Sequence, residues 1–267
     1  MDANPGASRI AVGGSDLEYR WWGPGPDAAP TFVLLHEGLG SVGLWRDFPA
    51  ALADRTGWGV VAYSRAGYGM SGPAKLPRPL DYMTREAVDV LPEVLDGLGV
   101  GPCAFLGHSD GATIAAIHAG TVRDARLSGA VLIAPHFFTE DMGLAEIALA
   151  TEAFEAGELR ERLARHHADP DIAFRGWSDA WLDPGFREWD VSGVIDGIAV
   201  PVLAIQGRDD PYGTLAQIEV IRRRCPAPVD VCLLSDCGHG PHLERPGETL
   251  KAVAAFASRL TPTGATA

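Results

Sequence analysis

The chain has 267 residues, 46% of them hydrophobic and 21% charged, enough for one large α/β domain or a domain carrying an insertion. A formal net charge of −13 disfavours nucleic acid and anionic membrane surfaces as partners and leaves a small-molecule substrate open. No apolar stretch approaches the ~20 residues of a membrane span, and the start, Met1 to Gly6, has no signal-peptide pattern, so a cytoplasmic protein with four reduced cysteines is expected.

Residues 9–22 read as two short strands around a Gly13-Gly14-Ser15-Asp16 turn. Thr31 to His36 is apolar on both faces, as a central parallel strand is. A glycine-rich loop, Glu37 to Ser41, leads to a helix expected from about Trp45 to Arg55 and a strand from Trp58 to Tyr63. After the turn-rich stretch Ser64 to Gly72, a helix from Tyr82 to Leu98 sets Val88, Leu91, Val94, Leu95 and Leu98 at helical spacing, with Pro92 as a kink. The run Pro102 to Leu106 reads as a buried strand and Ala112 to Ala119 as an alanine-rich helix. Ala130 to Ala134 is another short strand. From about 137 to 197, charged residues alternate with Ala and Leu, three tryptophans appear (177, 181, 189) and no strand-like run intervenes, which implies a helical insertion. Strand Val200 to Gln206, helix Thr214 to Arg224, strand Val229 to Leu234 and helix Glu248 to Leu260 complete the chain.

Strands alternating with helices imply a mostly parallel sheet with helices on both faces, and in such sheets ligands sit at the C-terminal strand ends. Four loops lie there. The one after Leu106 is Gly107-His108-Ser109-Asp110-Gly111, a serine between glycines at a strand-to-helix turn, which is the pattern of a nucleophile elbow. The loop after Gln206 holds Asp209 and Asp210, and the one after Leu234 holds His239 and His242. A serine hydroxyl attacks only if a histidine takes its proton, and a buried carboxylate fixes the tautomer of that histidine.

Five stretches in order carry a resemblance to the α/β-hydrolase superfamily over essentially the full length: Leu34 to Gly38, Ser64 to Ser71, Gly107 to Gly111, Gly207 to Asp210, and Gly238 to Glu244. The resemblance implies an α/β fold with a mostly parallel central sheet flanked by helices, a core of residues 1–136 and 198–267, and a small helical cap of residues 137–197 over the pocket. It implies Ser109 as nucleophile, His239 as base and Asp210 as acid, with Asp209 stabilising the loop. The oxyanion would be held by the N–H of Asp110 and that of Gly38, with Leu39 as the second choice for the latter. Where relatives have glycine directly after the first-loop histidine, this chain has Glu37, expected either as a loop carboxylate paired with Arg65 or Arg208 or at the pocket mouth. Glu37 and Asp110 together would repel anionic substrates and favour cationic ones.

The substrate pocket is expected to involve Glu37, Leu39, His108, Phe137, Trp177 and Trp181, and for His108 packing under the elbow is favoured over catalysis. Phe138, Met142, Phe154, Phe174 and Trp189 are further candidates for the cap underside. His242 is expected to be structural and His166-His167 solvated. No metal site and no cofactor are expected. The implied activity is hydrolysis of a carboxylic ester or related acyl bond of a small molecule. Carbon–carbon, lactone or amide hydrolysis on the same residues, and a slow-turnover ligand-binding protein, are the alternatives. Monomer and homodimer stay open.

Overall fold

Along each inner strand, successive side chains enter two different cores. Val33 and Leu35 join one cluster while Phe32 and Leu34 join the other, and Phe105 is set against Ala104 and Leu106 in the same way. This alternation makes runs apolar on both faces, because both faces of the sheet are covered. The structure, a computed structural model, describes residues 8–260. Residues 1–7, where the expectation about a signal pattern falls, and the Thr/Ala/Gly tail after Leu260 lie outside the described residues.

The strands are β1 (Ser8–Val12), β2 (Ser15–Trp22), β3 (Thr31–Leu35), β4 (Gly59–Tyr63), β5 (Cys103–His108), β6 (Leu127–Ile133), β7 (Val202–Gly207) and β8 (Val229–Leu234). They form one sheet of eight in the order β1-β2-β4-β3-β5-β6-β7-β8. The β1–β2 and β2–β4 pairings are antiparallel and the others parallel. Gly13 and Gly14, with φ of 56° and 78°, make the two-residue turn of the entry hairpin.

The helices are α1 (Phe48–Thr56), α2 (Tyr82–Arg85), α3 (Leu91–Gly97), α4 (Asp110–Thr121), α5 (Asp141–Glu155), α6 (Glu158–Leu163), α7 (Pro170–Leu182), α8 (Ala216–Arg224), α9 (Pro241–Glu244) and α10 (Pro246–Ala257). α1 and α10 cover one face of the sheet, and α3, α4 and α8 the other. Two expected helices are interrupted. Val42–Trp45 is a separate 3-10 turn, and Arg46, at φ 52°, breaks the path before α1. The helix expected from Tyr82 to Leu98 widens to a π turn over Glu86–Val90, just before Pro92. Proline has no N–H and its ring crowds the carbonyl four residues back, here Val88, so the turn opens there. Val88, expected on the apolar face, is consequently exposed.

Between β6 and β7 the chain forms α5, α6, α7 and two 3-10 turns, with a single bridge from Phe138 to Asp190. Asp169 caps α7, accepting from the N–H groups of Asp171 and Ile172. Phe154 stacks on Phe174 at 4.0 Å between ring centres. Met142 is exposed and forms no part of an apolar underside. His167 is buried, contrary to the expectation that it is solvated: its Nδ1 accepts from Gly69 N–H and its Nε2–H donates to the carbonyl of Leu39. The helical segment is thereby tied to the loops after β3 and β4. His166 is exposed as expected. The four cysteines are free, and among the described residues no helix is long and apolar enough to cross a membrane.

Candidate active site

The turn from β5 to α4 is held by backbone crowding. A Cβ on Gly107 would lie 2.2 Å from the Gly111 carbonyl oxygen, and one on Gly111 would lie 1.9 Å from that of Leu35. Only glycine fits at both places, so the turn closes sharply and Ser109 is forced to φ 53°, ψ −120°. Its hydroxyl faces a cavity of about 250 Å³ and makes no hydrogen bond among the described residues. The N–H of Asp110, first residue of α4, has no partner within its helix, and the N–H of Gly38 is also unbonded among the described residues. Both residues line the same cavity.

His239 lines the cavity too. Its Nδ1 donates to the carboxylate of Asp210, 2.9 Å from Oδ1 and 2.8 Å from Oδ2. Asp210 sits behind the ring, 7% exposed, and is oriented by the Tyr212 N–H (2.8 Å) and the Gln206 side-chain amide (2.7 Å). Burial alone would raise its carboxyl. The hydrogen bond and charge of His239, with the Tyr212 N–H, outweigh burial and hold it below the usual carboxylate range. Asp209 is exposed and contributes its backbone N–H to the Cys237 carbonyl. The structure thus brings Ser109, Asp210 and His239 together at the C-terminal strand ends. No hydrogen bond joins Ser109 to His239.

Of the expected pocket residues, Glu37, Leu39, His108, Trp177 and Trp181 line the cavity. Phe137 does not: it is fully buried in the core, with its N–H on the Gln217 side chain. Its backbone is held to α8 through Gln217, and its ring joins the core cluster rather than the cavity lining. Trp177 packs on Gly38, where a Cβ would come within 2.2 Å of the indole nitrogen. His108 is buried beside the elbow and also borders the cavity, with its Nε2 2.7 Å from the His239 carbonyl. His242 is buried among Trp45, Phe48 and His108, consistent with a structural place.

Glu37 pairs with neither Arg65 nor Arg208 through its carboxylate. Arg65 takes the backbone carbonyls of His36 (2.6 Å) and Glu37 (3.0 Å), while the Glu37 carboxylate lies 3.5 Å from His108 Nδ1. Burial opposes its ionisation, but the interactions with His108 prevail and hold the carboxyl well below its ordinary value. The Asp110 carboxyl is fully buried, accepts from the Tyr82 hydroxyl and lies 4.0 Å from Arg65. Burial raises it, partly offset by Arg65 and Tyr82. The Asp110 carboxyl is thus compensated within the core by Tyr82 and Arg65, while the Glu37 carboxylate borders the cavity beside His108.

Several residues here were not singled out from the sequence. His136 and Tyr212 line the cavity, the former at the end of β6 and the latter beyond β7, with ring centres 5.6 and 4.8 Å from that of His239. Burial pushes His136 down to about 3. The strand-end rule names the loop after β6 as well, which is the signal that finds His136. Tyr82 and Arg65 reach Asp110 from elements far away in sequence and leave no local trace. Among the described residues no group of three or more His, Cys, Asp or Glu side chains is placed to hold a metal ion.

The alpha/beta hydrolase family matches residues 32–252. No curated protein matches the sequence. Among solved structures, the enol-lactonase from Burkholderia xenovorans LB400 is 22% identical with a TM-score of 0.72, over 94% of this chain and 100% of that one. The meta-cleavage product hydrolase from Pseudomonas fluorescens IP01 is 19% identical with a TM-score of 0.73, over 94% and 97%. The esterase from Exiguobacterium antarcticum is 16% identical with a TM-score of 0.71, over 94% and 99%. At such identities the likeness is one of fold, and the family match supplies the membership. The chain belongs to the alpha/beta hydrolase family and has its fold.

Proposed function

We propose that the protein hydrolyses a carboxylic ester or related acyl bond of a small molecule through an acyl-serine intermediate. The observation that carries this reading is the imidazole of His239, held at Nδ1 by the buried Asp210 and bordering the same cavity as Ser109. With Nδ1–H given to the carboxylate, the basic lone pair is on Nε2. His239 takes the Ser109 proton as Oγ attacks the carbonyl carbon, and the carbonyl π pair moves to oxygen. The Asp110 and Gly38 N–H groups receive that oxyanion at the positive end of α4. Collapse expels the alkoxide, which takes the proton from His239. Water then repeats the sequence on the acyl-serine and releases the acid.

The contact between Gly38 and Trp177, and the ties made by His167, support a role for residues 137–197 as a cap over the cavity. At about 250 Å³ the space favours short acyl groups. Turnover of p-nitrophenyl esters from acetate to dodecanoate tests the reading. The wild type is expected to prefer the short end, and Ser109→Ala to lose on the order of 10³-fold or more in kcat. Wild-type turnover that survives Ser109→Ala overturns it.

A further inference from the structure

The loop that carries His239 is glycine-rich on both sides of it, and Asp236 before it adopts φ 48°. Such a segment does not fix the direction of a side chain by itself. Three hydrogen bonds from outside do so. Glu244 accepts from the N–H of Gly238 (2.7 Å) and of Gly240 (2.9 Å). On the opposite edge of the His239–Gly240 peptide, His108 Nε2 lies 2.7 Å from the His239 carbonyl oxygen. A carbonyl can only accept, so Nε2 carries a proton. The other ring nitrogen, Nδ1, faces the Glu37 carboxylate at 3.5 Å. Rotating the His108 ring by half a turn would place a carbon against the His239 carbonyl oxygen. The His239 carbonyl therefore selects the one ring orientation that sets Nε2–H against it. The Glu37 carboxylate is itself confined: it folds back over Gly40, where a Cβ would lie 2.3 Å from Oε2, and its backbone carbonyl is bound by Arg65.

We infer that His108 is a positioning residue that fixes the His239–Gly240 peptide and so aims the His239 imidazole between Asp210 and Ser109. This deepens the reading of His239 as the base and rests on it. A misplacement of the base by a fraction of an ångström affects the reaction barrier more than ground-state binding.

The test compares His108→Ala with His108→Gln, whose side-chain amide can reach the same carbonyl, in protein labelled with ¹⁵N-histidine. The probe is the downfield Nδ1–H resonance of His239 in its bond to Asp210, assigned by its absence in His239→Ala. In His108→Ala this resonance is expected to broaden into exchange with water. With a short p-nitrophenyl ester, kcat should fall on the order of 10- to 100-fold while KM stays within about two-fold. His108→Gln should restore the resonance and most of the kcat. Should His108→Ala not fold, His108→Met fills the space without an N–H and carries the same expectations. An unchanged resonance with kcat within about two-fold of wild type, or equal losses in the Gln and Ala variants, overturns the inference. The resonance is read without turnover, so a wild type inactive on every ester would count against the hydrolytic reading and leave this comparison decisive.

Discussion

Lowering the pH from 7 to 5 should cost the fold about 2 kcal/mol through His242 alone, a prediction that follows from burial and linkage. The ring of His242 is 3% exposed, 4.8 Å from the Trp45 ring centre and 5.6 Å from that of Phe48. Its Nδ1 has no hydrogen-bond partner. Burial pushes the group down to about 3, with the neighbouring His108, His239 and Arg46 acting the same way and Glu37 opposing them. Between that value and the unfolded value of about 6.5, the unfolded chain holds a proton that the native ring refuses. Stability therefore falls as the pH drops through about 6.5 and continues to fall until about 3. At pH 5 the unfolded ring is some 1.5 units below its midpoint, worth about 2 kcal/mol at roughly 1.4 kcal/mol per unit. The figure depends only on the native value lying well below 5. His242→Phe keeps an aromatic ring in the aromatic site and removes the titration. Urea unfolding of both proteins at pH 7 and pH 5 gives two stability differences, and other groups such as His136 cancel between them. The wild-type difference should be the larger by about 2 kcal/mol; equal differences, within about 0.5 kcal/mol, refute the argument.

Tyr82→Phe removes the donor to Asp110 and the acceptor of the Trp181 indole N–H, leaving two buried polar groups without their partner. A loss of about 1–3 kcal/mol in urea unfolding is expected, together with a shift in tryptophan emission. Gly38→Ala places a methyl carbon 2.2 Å from the Trp177 indole nitrogen, so either the indole or the first loop must move. On a short ester, kcat/KM should drop on the order of 10²-fold as the oxyanion N–H is displaced, measured beside a thermal melt that reports any loss of fold.

The residues that set local backbone shape were the legible ones. Glycines at 107 and 111 announce the turn at Ser109 because the backbone crowding there admits nothing else. The alternation of Phe32, Val33, Leu34 and Leu35 between two cores announces a covered central strand. The order Ser, Asp, His at strand ends was legible in the strand pattern, whereas choosing Asp210 over Asp209 and His239 over His242 took the family resemblance. What escaped depends on where side chains meet across distant elements. The placement of His108 against the His239 carbonyl spans 131 residues of sequence, and that of His167 against Leu39 spans 128. A charged-looking segment around His166 hides the inward turn of its neighbour, since one residue along an irregular stretch can face either way. The π turn before Pro92 was half legible: the proline marks the break, but the exposure of Val88 follows only from how the turn opens.

The central claim is that Ser109 becomes acylated. Incubation with an activated fluorophosphonate, which traps an attacking serine as a stable phosphonyl ester, tests it directly by intact mass and peptide mapping. The account predicts one adduct per chain on the peptide bearing Ser109, abolished in Ser109→Ala and slowed strongly in His239→Ala. An unmodified Ser109 in a wild type that turns over esters, or labelling of another residue that persists in Ser109→Ala, would contradict it.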